Sequence, residues 1–277
     1  MESVYQDYRN SRIHYLCSGR GAEPLVCFHG FAETAASFRL LEKICGDIYS
    51  IYSFDMPFHG KTEWNEGLNF TIDDLENIIK SCDGLAGRKF SLMGYSMGGR
   101  VALSLYQHRP EKINGLILIA SDGLTVNPWY RIATQTAPGN RIFRTTMHNP
   151  GWFLHLMNTG DRLGLVNSSV SKFVRRQIGN PSMRKQIYET WTTMRHLRPD
   201  ISQIKKLINN HRTPVCLIFG KYDKIIRTSL GRSFIKNIEA YAILSEIESG
   251  HQLLTEGHAQ TLKDILSYYF NHSEKKI

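Results

Sequence analysis

Three residues of this sequence have the side chains that a nucleophilic mechanism needs, and they stand in a definite order along the chain. Ser96 lies in GYSMGG, between an apolar run and a helical pattern. Asp223 follows the apolar run TPVCLIFG, and His251 follows the run AYAILSEI. A histidine can take a proton from a serine hydroxyl and return it near neutral pH, while a carboxylate orients its imidazole. The order therefore predicts a nucleophile, an orienting acid and a base.

The residues around Ser96 fit a nucleophile on a tight turn between a strand and a helix. Such a turn leaves room only for small residues two positions before and after the serine, and Gly94 and Gly98 stand there. The helix that follows offers backbone N–H groups and its positive dipole end to a developing oxyanion. A purely structural turn uses the same glycines, so the motif indicates chemistry only together with the aspartate and the histidine.

Two aspartates compete for the role of the orienting acid. Asp223, in CLIFGKYDKII, lies three residues after a glycine that ends a strand-like run, on a loop that can reach the histidine loop. Asp122, in LIASDG, ends the preceding core strand. We favour Asp223 and keep Asp122 as the alternative.

Strand-like runs separated by helical patterns predict the scaffold that positions these side chains. The runs are EPLVCFHG, DIYSIYSFD, RKFSLMGYS, INGLILIAS, TPVCLIFG and AYAILSEI. Continuous apolar runs are typical of strands buried on both faces of a parallel sheet. Between them, FTIDDLENIIKSC opens with a helix capping box formed by Thr71 and Asp74. The pattern predicts an α/β fold whose functional residues follow the carboxyl ends of the strands.

The pattern changes at residue 123. Residues 123–202 hold three of the four tryptophans, many arginines and no clear buried strand. We therefore predict a core of residues 1–122 and 203–277, interrupted by a helical cap of residues 123–202. Trp129 and Trp152 are candidates for lining a partly apolar substrate pocket, with packing inside the cap as the alternative.

The basic excess of the chain falls in the same region. The net charge is +9, yet between Leu124 and Arg212 fourteen lysines and arginines stand against three acidic residues, which leaves −2 for the remainder. We expect a small-molecule substrate, with an anionic one met in this segment, and no nucleic acid partner. A solvated basic face and an anionic membrane surface are the alternatives.

The cysteines and the N-terminus indicate the compartment. The five cysteines, Cys17, Cys27, Cys45, Cys82 and Cys216, are scattered without a CxxC pair, which favours reduced thiols over disulfides or a zinc site. The first residues, MESVYQDYRN, lack the order of a signal peptide, and no run approaches the length of a membrane span. We expect a cytoplasmic protein without an integral membrane segment, metal or cofactor, and leave its oligomeric state open.

Five motifs, taken in order, resemble the α/β-hydrolase superfamily in its cap-bearing branch of esterases, lyases and C–C bond hydrolases. They are FHGF (28–31), FDMPFHGKT (54–62), GYSMGGR (94–100), GKYD (220–223) and SGHQ (249–252). The resemblance implies a mostly parallel eight-stranded sheet, a triad of Ser96, Asp223 and His251, and an oxyanion hole formed by the backbone N–H groups of Phe31 and Met97. It also places Asp55 and His59 in a structural turn, in which Phe58 replaces the glycine that is usual in the superfamily.

The elbow motif GYSMGGR is also similar to that of the menaquinone-pathway synthase family, which releases pyruvate from an acidic intermediate. In that family the tyrosine and the arginine help to handle the anionic substrate, and here they are Tyr95 and Arg100. We expect a serine hydrolase that cleaves a small carboxylic ester or related acyl substrate through an acyl-enzyme. The alternatives are a lyase or C–C bond hydrolase of the synthase type and a non-catalytic ligand-binding protein on the same fold.

Overall fold

A computed structural model of the 277-residue chain describes residues 1–125, 128–164, 174–175 and 178–273, with side chains as far as Phe270. Trp129 and Trp152 and all other candidate site residues lie within these ranges.

Within the described ranges, eight strands form a single sheet. They are β1 (Glu2–Tyr8), β2 (Ser11–Ser18), β3 (Glu23–Phe28), β4 (Tyr49–Phe54), β5 (Phe90–Tyr95), β6 (Ile113–Ile119), β7 (Val215–Gly220) and β8 (Ala242–Ile247). Their order across the sheet is β1-β2-β4-β3-β5-β6-β7-β8. β2 pairs antiparallel with both β1 and β4, while every other neighbouring pair is parallel. The predicted α/β fold with a mostly parallel eight-stranded sheet is confirmed.

The six parallel strands coincide with the six strand-like runs of the sequence. β5 and β7 are buried along their whole length, and Leu25, Met93, Ile117 and Cys216 have no exposed surface. Helices that cover both faces of a parallel sheet remove such strands from water, which is why their sequences show no alternation.

The described residues contain ten α-helices and four short 3-10 helices. The α-helices are α1 (Leu40–Cys45), α2 (Ile72–Lys80), α3 (Met97–His108), α4 (Pro128–Gln135), α5 (Ala137–His148), α6 (Gly151–Arg162), α7 (Pro181–Thr193), α8 (Ile201–His211), α9 (Thr228–Ile235) and α10 (Ala259–Ser273). The 3-10 helices are Ala35–Phe38, Pro110–Lys112, Met194–His196 and Glu256–His258. The predicted capping box opens α2, because the Thr71 hydroxyl accepts from the Asp74 N–H and the Asp74 carboxylate accepts from the Thr71 N–H. None of the helices in these described ranges combines the length and apolar character that crossing a bilayer requires.

Backbone contacts divide the chain into two units. The first contains Met1–Glu66, Thr71–Thr125 and the described residues from Leu197 onward, and it carries the whole sheet. The second contains Gly67–Phe70 and the described residues between 126 and 196, which include helices α4 to α7. The domain boundaries at 123 and 202 stay a prediction.

Aromatic rings pack together inside the second unit. The Trp191 ring lies 5.4 Å from that of Tyr130 and 5.7 Å from that of Phe143, measured between centroids. The sequence between residues 126 and 196 carries ten lysines and arginines against two acidic residues, so this unit is strongly basic.

Candidate active site

Ser96 stands at the turn between β5 and α3 in a backbone conformation that L-residues rarely adopt. Its φ is 51° and its ψ is −116°. A Cβ at Gly94 would lie 2.5 Å from the Gly98 carbonyl oxygen, and one at Gly98 would lie 1.8 Å from the Phe28 carbonyl oxygen. Larger residues at these two positions would force the strand and the helix apart, which is the steric reason that the sequence analysis gave for the motif.

Backbone hydrogen bonds hold this turn against the neighbouring strand. The Ser96 N–H donates to the Ile119 carbonyl at 3.0 Å, and the Ser96 carbonyl accepts from the Asp122 N–H at 2.9 Å. The serine is therefore fixed at the carboxyl edge of the sheet, between β5 and β6.

Two further loops at the same edge carry the acid and the histidine. Asp223 follows β7 and His251 follows β8, and two backbone bonds join the loops. The Lys221 N–H donates to the Ile247 carbonyl at 2.8 Å, and the Tyr222 N–H donates to the Ser249 carbonyl at 2.9 Å. Because β7 and β8 are parallel neighbours, their ends place these loops side by side.

The three side chains form one continuous hydrogen-bonded chain. The Ser96 hydroxyl lies 3.0 Å from His251 Nε2, and His251 Nδ1 lies 2.7 Å from Asp223 Oδ2. Burial by itself would raise the pKa of Asp223, but the hydrogen bond from His251 and those from the Ile225 and Ile226 N–H groups outweigh it and hold the pKa below its ordinary value. The carboxylate is thus ionised and can only accept, so the imidazole donates from Nδ1 and leaves Nε2 to accept the serine proton.

Of the two candidate acids, only Asp223 contacts the histidine in the described structure. Asp122 instead forms an ion pair with the Arg100 guanidinium, and it also accepts from the Gly123 N–H at 2.7 Å. The arrangement at Ser96 can remove a proton from the serine as it attacks an electrophilic carbon and return that proton to a leaving group.

The backbone N–H groups of Phe31 and Met97 are available for an oxyanion. Among the described residues neither group donates a hydrogen bond. Met97 is the first residue of α3, where N–H groups lack partners within the helix. Gly30, next to Phe31, comes so close to the serine that a Cβ there would lie 3.3 Å from the Ser96 Cβ. The geometry leaves two free donors next to Ser96, one on the loop after β3 and one at the first residue of α3.

Two buried histidines hold the loop that carries Phe31. His29 Nδ1 donates to the Gly30 carbonyl at 2.7 Å, and its Nε2 accepts from the Met56 N–H at 3.1 Å. His59 Nδ1 donates to the Pro57 carbonyl at 3.0 Å, and its Nε2 accepts from the Ala32 N–H at 3.2 Å. Burial, followed by the proximity of His59, lowers the pKa of His29 to about 3, and burial also lowers the pKa of His59. Both rings are therefore neutral and act as fixed braces.

The turn after β4 forms although a phenylalanine stands where the superfamily has glycine. Phe58 adopts a φ of 64°, in the left-handed region, and Gly60 follows with a φ of 54°. The Asp55 carboxylate accepts from the Lys61 N–H at 2.8 Å and from the Ala35 N–H at 2.6 Å, which ties the turn to the Phe31 loop. These bonds hold the phenylalanine in a conformation that costs an L-residue roughly 1–2 kcal/mol.

Tyr95 and Arg100 both have protein partners. Tyr95 is buried, and its hydroxyl donates to the His251 carbonyl at 3.0 Å while its ring lies 5.6 Å from the His251 ring. Burial, with the nearby Glu33 and Asp223 charges, raises the pKa of Tyr95, so it is a neutral donor. Arg100 pairs with Asp122, as described above. A direct contact of either residue with substrate stays a prediction.

Trp129 and Trp152 lie on exposed helical positions of the second unit. Trp129, in α4, is 78% exposed, and Trp152, in α6, is 50% exposed and meets the Phe153 ring at 5.9 Å. Their contact with substrate also stays a prediction.

Glu33, which no motif of the sequence singled out, lies near the histidine. Its N–H donates to the Gly30 carbonyl at 3.2 Å, and one carboxyl oxygen is buried without a hydrogen-bond partner in the described structure. Burial raises the pKa of Glu33, against the opposing effects of Ser37, Gln252 and the His251 charge. An acidic residue four positions after the strand-end histidine was a visible signal, but nothing in the sequence placed it against the loop of residue 251.

One group of side chains has the residue types of a metal site, on α2 and α3. Within the described ranges, Asp73, Glu76 and His108 bring one ligand atom each to within 4.8 Å of one another. The Glu76 carboxylate, however, already bonds Arg109 at 2.7 Å, Lys80 at 2.6 Å and His108 at 2.9 Å. Burial opposes these bonds, yet they lower the pKa of Glu76 to about 2. Ion pairing with these partners therefore accounts for the position of the Glu76 carboxylate.

Comparison with known proteins identifies relatives along most of the chain. The profile of a hydrolase family described as "Serine aminopeptidase, S33" matches residues 22–257. The uncharacterized hydrolase YugF of Bacillus subtilis (strain 168) is 27% identical over 244 residues, which cover 86% of each protein. The pimeloyl-acyl-carrier-protein methyl ester esterase of Nitrosomonas europaea is 26% identical over 221 residues, 77% of this chain and 82% of that protein.

A solved structure supports the fold. An esterase of Thermogutta terrifontis superposes with a TM-score of 0.66 at 19% identity, over 97% of this chain and 99% of that one. Together with the match to the hydrolase family profile over residues 22–257, this confirms the resemblance to the α/β-hydrolase superfamily that the motifs indicated.

Proposed function

The chain belongs to the hydrolase family described as serine aminopeptidase S33, and on this basis we propose that it is a serine hydrolase of the carboxylesterase type. Among its relatives are a hydrolase and a methyl ester esterase. We assign the nucleophile to Ser96, the base to His251 and the orienting acid to Asp223. The substrate class is a small carboxylic ester or a related acyl compound.

The mechanism follows from the hydrogen-bonded chain. His251 Nε2 takes the Ser96 hydroxyl proton as the serine oxygen attacks the ester carbonyl carbon, and the Phe31 and Met97 N–H groups stabilise the oxyanion. The imidazolium then protonates the departing alcohol, and an acyl-Ser96 intermediate remains. Asp223 holds the imidazole in the tautomer that can accept and stabilises its charged form. Water hydrolyses the acyl-enzyme by the same proton route in reverse.

A single observation carries this proposal. Ser96 Oγ, His251 Nε2, His251 Nδ1 and Asp223 Oδ2 are linked by contacts of 3.0 and 2.7 Å, with the serine on a strained turn beside two unoccupied N–H donors. A protein that only binds its ligand has no need of a polarised hydroxyl, a correctly oriented imidazole and unsatisfied donors at one place. Strained backbone that the surrounding structure holds in place is concentrated at functional sites, and the conformation of Ser96 fits that pattern.

The basic second unit supports an acyl substrate with a negative charge. Ten cationic residues in this stretch would raise the local concentration of an anionic substrate without fixing its identity. Cleavage of a C–C bond in an anionic substrate is the second candidate reaction, and the cytoplasmic location stays a prediction from the cysteines.

A substrate panel with one matched variant tests the proposal. Aryl esters of graded acyl length, neutral and carboxylate-bearing, are offered to the wild type and to Ser96→Ala beside an anionic C–C cleavage substrate. We expect ester turnover in the wild type and its loss in the variant. Turnover of the C–C substrate alone would replace the esterase assignment by the lyase, and ester turnover that survives Ser96→Ala would overturn the assignment of the nucleophile.

A further inference from the structure

A second hydrogen-bonded series of serine, histidine and carboxylate lies near β1 and β2, at the opposite end of the sheet from β8 and the His251 loop. The Ser3 hydroxyl is 2.7 Å from His14 Nε2, and His14 Nδ1 is 2.6 Å from Asp55 Oδ2. Ser3 is exposed, whereas His14 and Asp55 are both buried with 3% exposed surface. These contacts are as short as those that link Ser96, His251 and Asp223.

The pairing of β1 with β2 creates this arrangement. Tyr5 stands directly opposite His14 in the antiparallel register, and Ser3 lies two residues away, on the same face of the strand. The Tyr5 ring covers the imidazole at a centroid distance of 4.9 Å. β1 is the edge strand of the sheet, and Ser3 is an exposed residue there while its base, His14, is buried.

Asp55 has the same kind of partners as Asp223. It accepts from two backbone N–H groups, those of Ala35 at 2.6 Å and Lys61 at 2.8 Å, as well as from the imidazole. The His14 N–H adds a further tie by donating to the Thr62 hydroxyl at 2.9 Å. An aspartate that accepts from His14 Nδ1 leaves Nε2 as the acceptor for the Ser3 proton.

We propose that Ser3 is a second nucleophile, which takes acyl groups from activated esters such as aryl esters. Its oxygen forms a bond to the acyl carbon, and the bond from that carbon to the phenolic oxygen breaks. His14 Nε2 takes the hydroxyl proton and passes it to the departing phenolate. The products are an O-acyl serine at position 3 and a phenol.

The reaction at Ser3 is slower than that at Ser96 because Ser3 has a general base but no oxyanion-hole donors from a helix N-terminus. Ser3 lies within a regular strand, so no helix N-terminus adjoins it as α3 adjoins Ser96. The loss of oxyanion-hole donors costs about 10²–10³ in rate. General-base help from His14 still accelerates the reaction about 10²-fold over an unassisted serine.

The test uses the full-length Ser96→Ala variant, so that the proposed active site does not consume the probe. Purified protein is incubated with p-nitrophenyl acetate, and peptides are followed by mass spectrometry. Fragment ions assign the acetyl group to Ser3 rather than to the Met1 amine. Ser233, which is exposed on α9 and has no histidine bonded to its hydroxyl in the described structure, is the internal reference.

We expect Ser3 to be acetylated about 10²-fold faster than Ser233, and His14→Asn to bring the two rates together. Equal rates at Ser3 and Ser233 with His14 in place would overturn the proposal, whether or not His14→Asn folds. A folded His14→Asn variant that keeps the fast rate at Ser3 would overturn it as well. The outcome does not depend on Ser96 chemistry, since the variant lacks that hydroxyl.

Discussion

Replacement of Asp223 by asparagine is the sharpest test of how the carboxylate acts. One side of the Asp223 carboxyl group faces the N–H groups of Ile225 and Ile226, at 2.7 and 3.0 Å, and the other faces His251 Nδ1 at 2.7 Å. An asparagine must place its oxygen towards the two N–H groups, since its NH₂ group would otherwise oppose both. The NH₂ group then faces His251 and donates to Nδ1.

This orientation reverses the tautomer of the histidine. His251 would carry its proton on Nε2 and could no longer accept one from Ser96. A wrong tautomer lowers kcat by about 10⁴, which corresponds to roughly 5.5 kcal/mol in activation free energy. We therefore expect Asp223→Asn to lower kcat for an aryl ester by about 10³–10⁴ at pH 7, with little change in the melting temperature.

Asp122→Asn is the matched control because Asp122 was the rival acid in the sequence. It bonds Arg100 and the Gly123 N–H rather than the histidine, so we expect its kcat to stay within about tenfold of the wild type. Stopped-flow measurement of the first turnover separates acylation from later steps. A loss below tenfold in Asp223→Asn, or an equal loss in both variants, would refute the tautomer argument.

Three further predictions concern the surroundings of the site. Burial raises the pKa of Glu33 and so disfavours its ionised form, so in denaturant titrations Glu33→Gln should become more stable relative to the wild type as the pH rises above the ordinary carboxyl value of 4.5; a constant difference between the two proteins would show that burial does not disfavour the carboxylate. The pKa of His29 is about 3 in the folded protein, whereas the unfolded chain protonates this histidine below its ordinary pKa of 6.5. Denaturant titrations should therefore give a free energy of unfolding about 2 kcal/mol lower at pH 5 than at pH 7. His29→Gln should flatten this pH dependence, and an unchanged pH dependence in the variant would assign it to other groups. Gly98→Ala places a Cβ against the Phe28 carbonyl and should lower the free energy of unfolding by about 2–3 kcal/mol. Gly151 has open space around it, so Gly151→Ala should lower the free energy of unfolding by less than about 0.5 kcal/mol. Equal losses in the two variants would contradict the packing argument.

The candidate site could be predicted because the sequence signals for it are local. Buried parallel strands give continuous apolar runs, and the residue after each run lies at one edge of the sheet. Ser96, Asp223 and His251 were chosen on this rule, and the structure brings them into hydrogen-bond distance. The capping box at Thr71 is equally local, since it involves residues three positions apart.

The features of the fold that the residue patterns did not predict depend on pairing between segments that are distant in the sequence. β1 is an edge strand with no buried residue, so it gives no apolar run, and β2 follows it after a tight turn. Only the superfamily resemblance implied eight strands. The sequence also could not predict that Arg100 pairs with Asp122 or that Glu33 lies near the loop of residue 251. These segments come together only because of the order of the strands in the sheet.

The central claim is that Ser96 forms a covalent acyl-enzyme, and labelling by a fluorophosphonate tests it most directly. Such a probe reacts with a serine that an adjacent base activates, and mass spectrometry of the intact protein and its peptides counts and locates the adduct. We expect rapid labelling in the peptide that contains Ser96, much faster than any labelling of Ser3, and the loss of this rapid labelling in both Ser96→Ala and Asp223→Asn. A folded wild-type protein in which Ser96 does not react with the probe would contradict it.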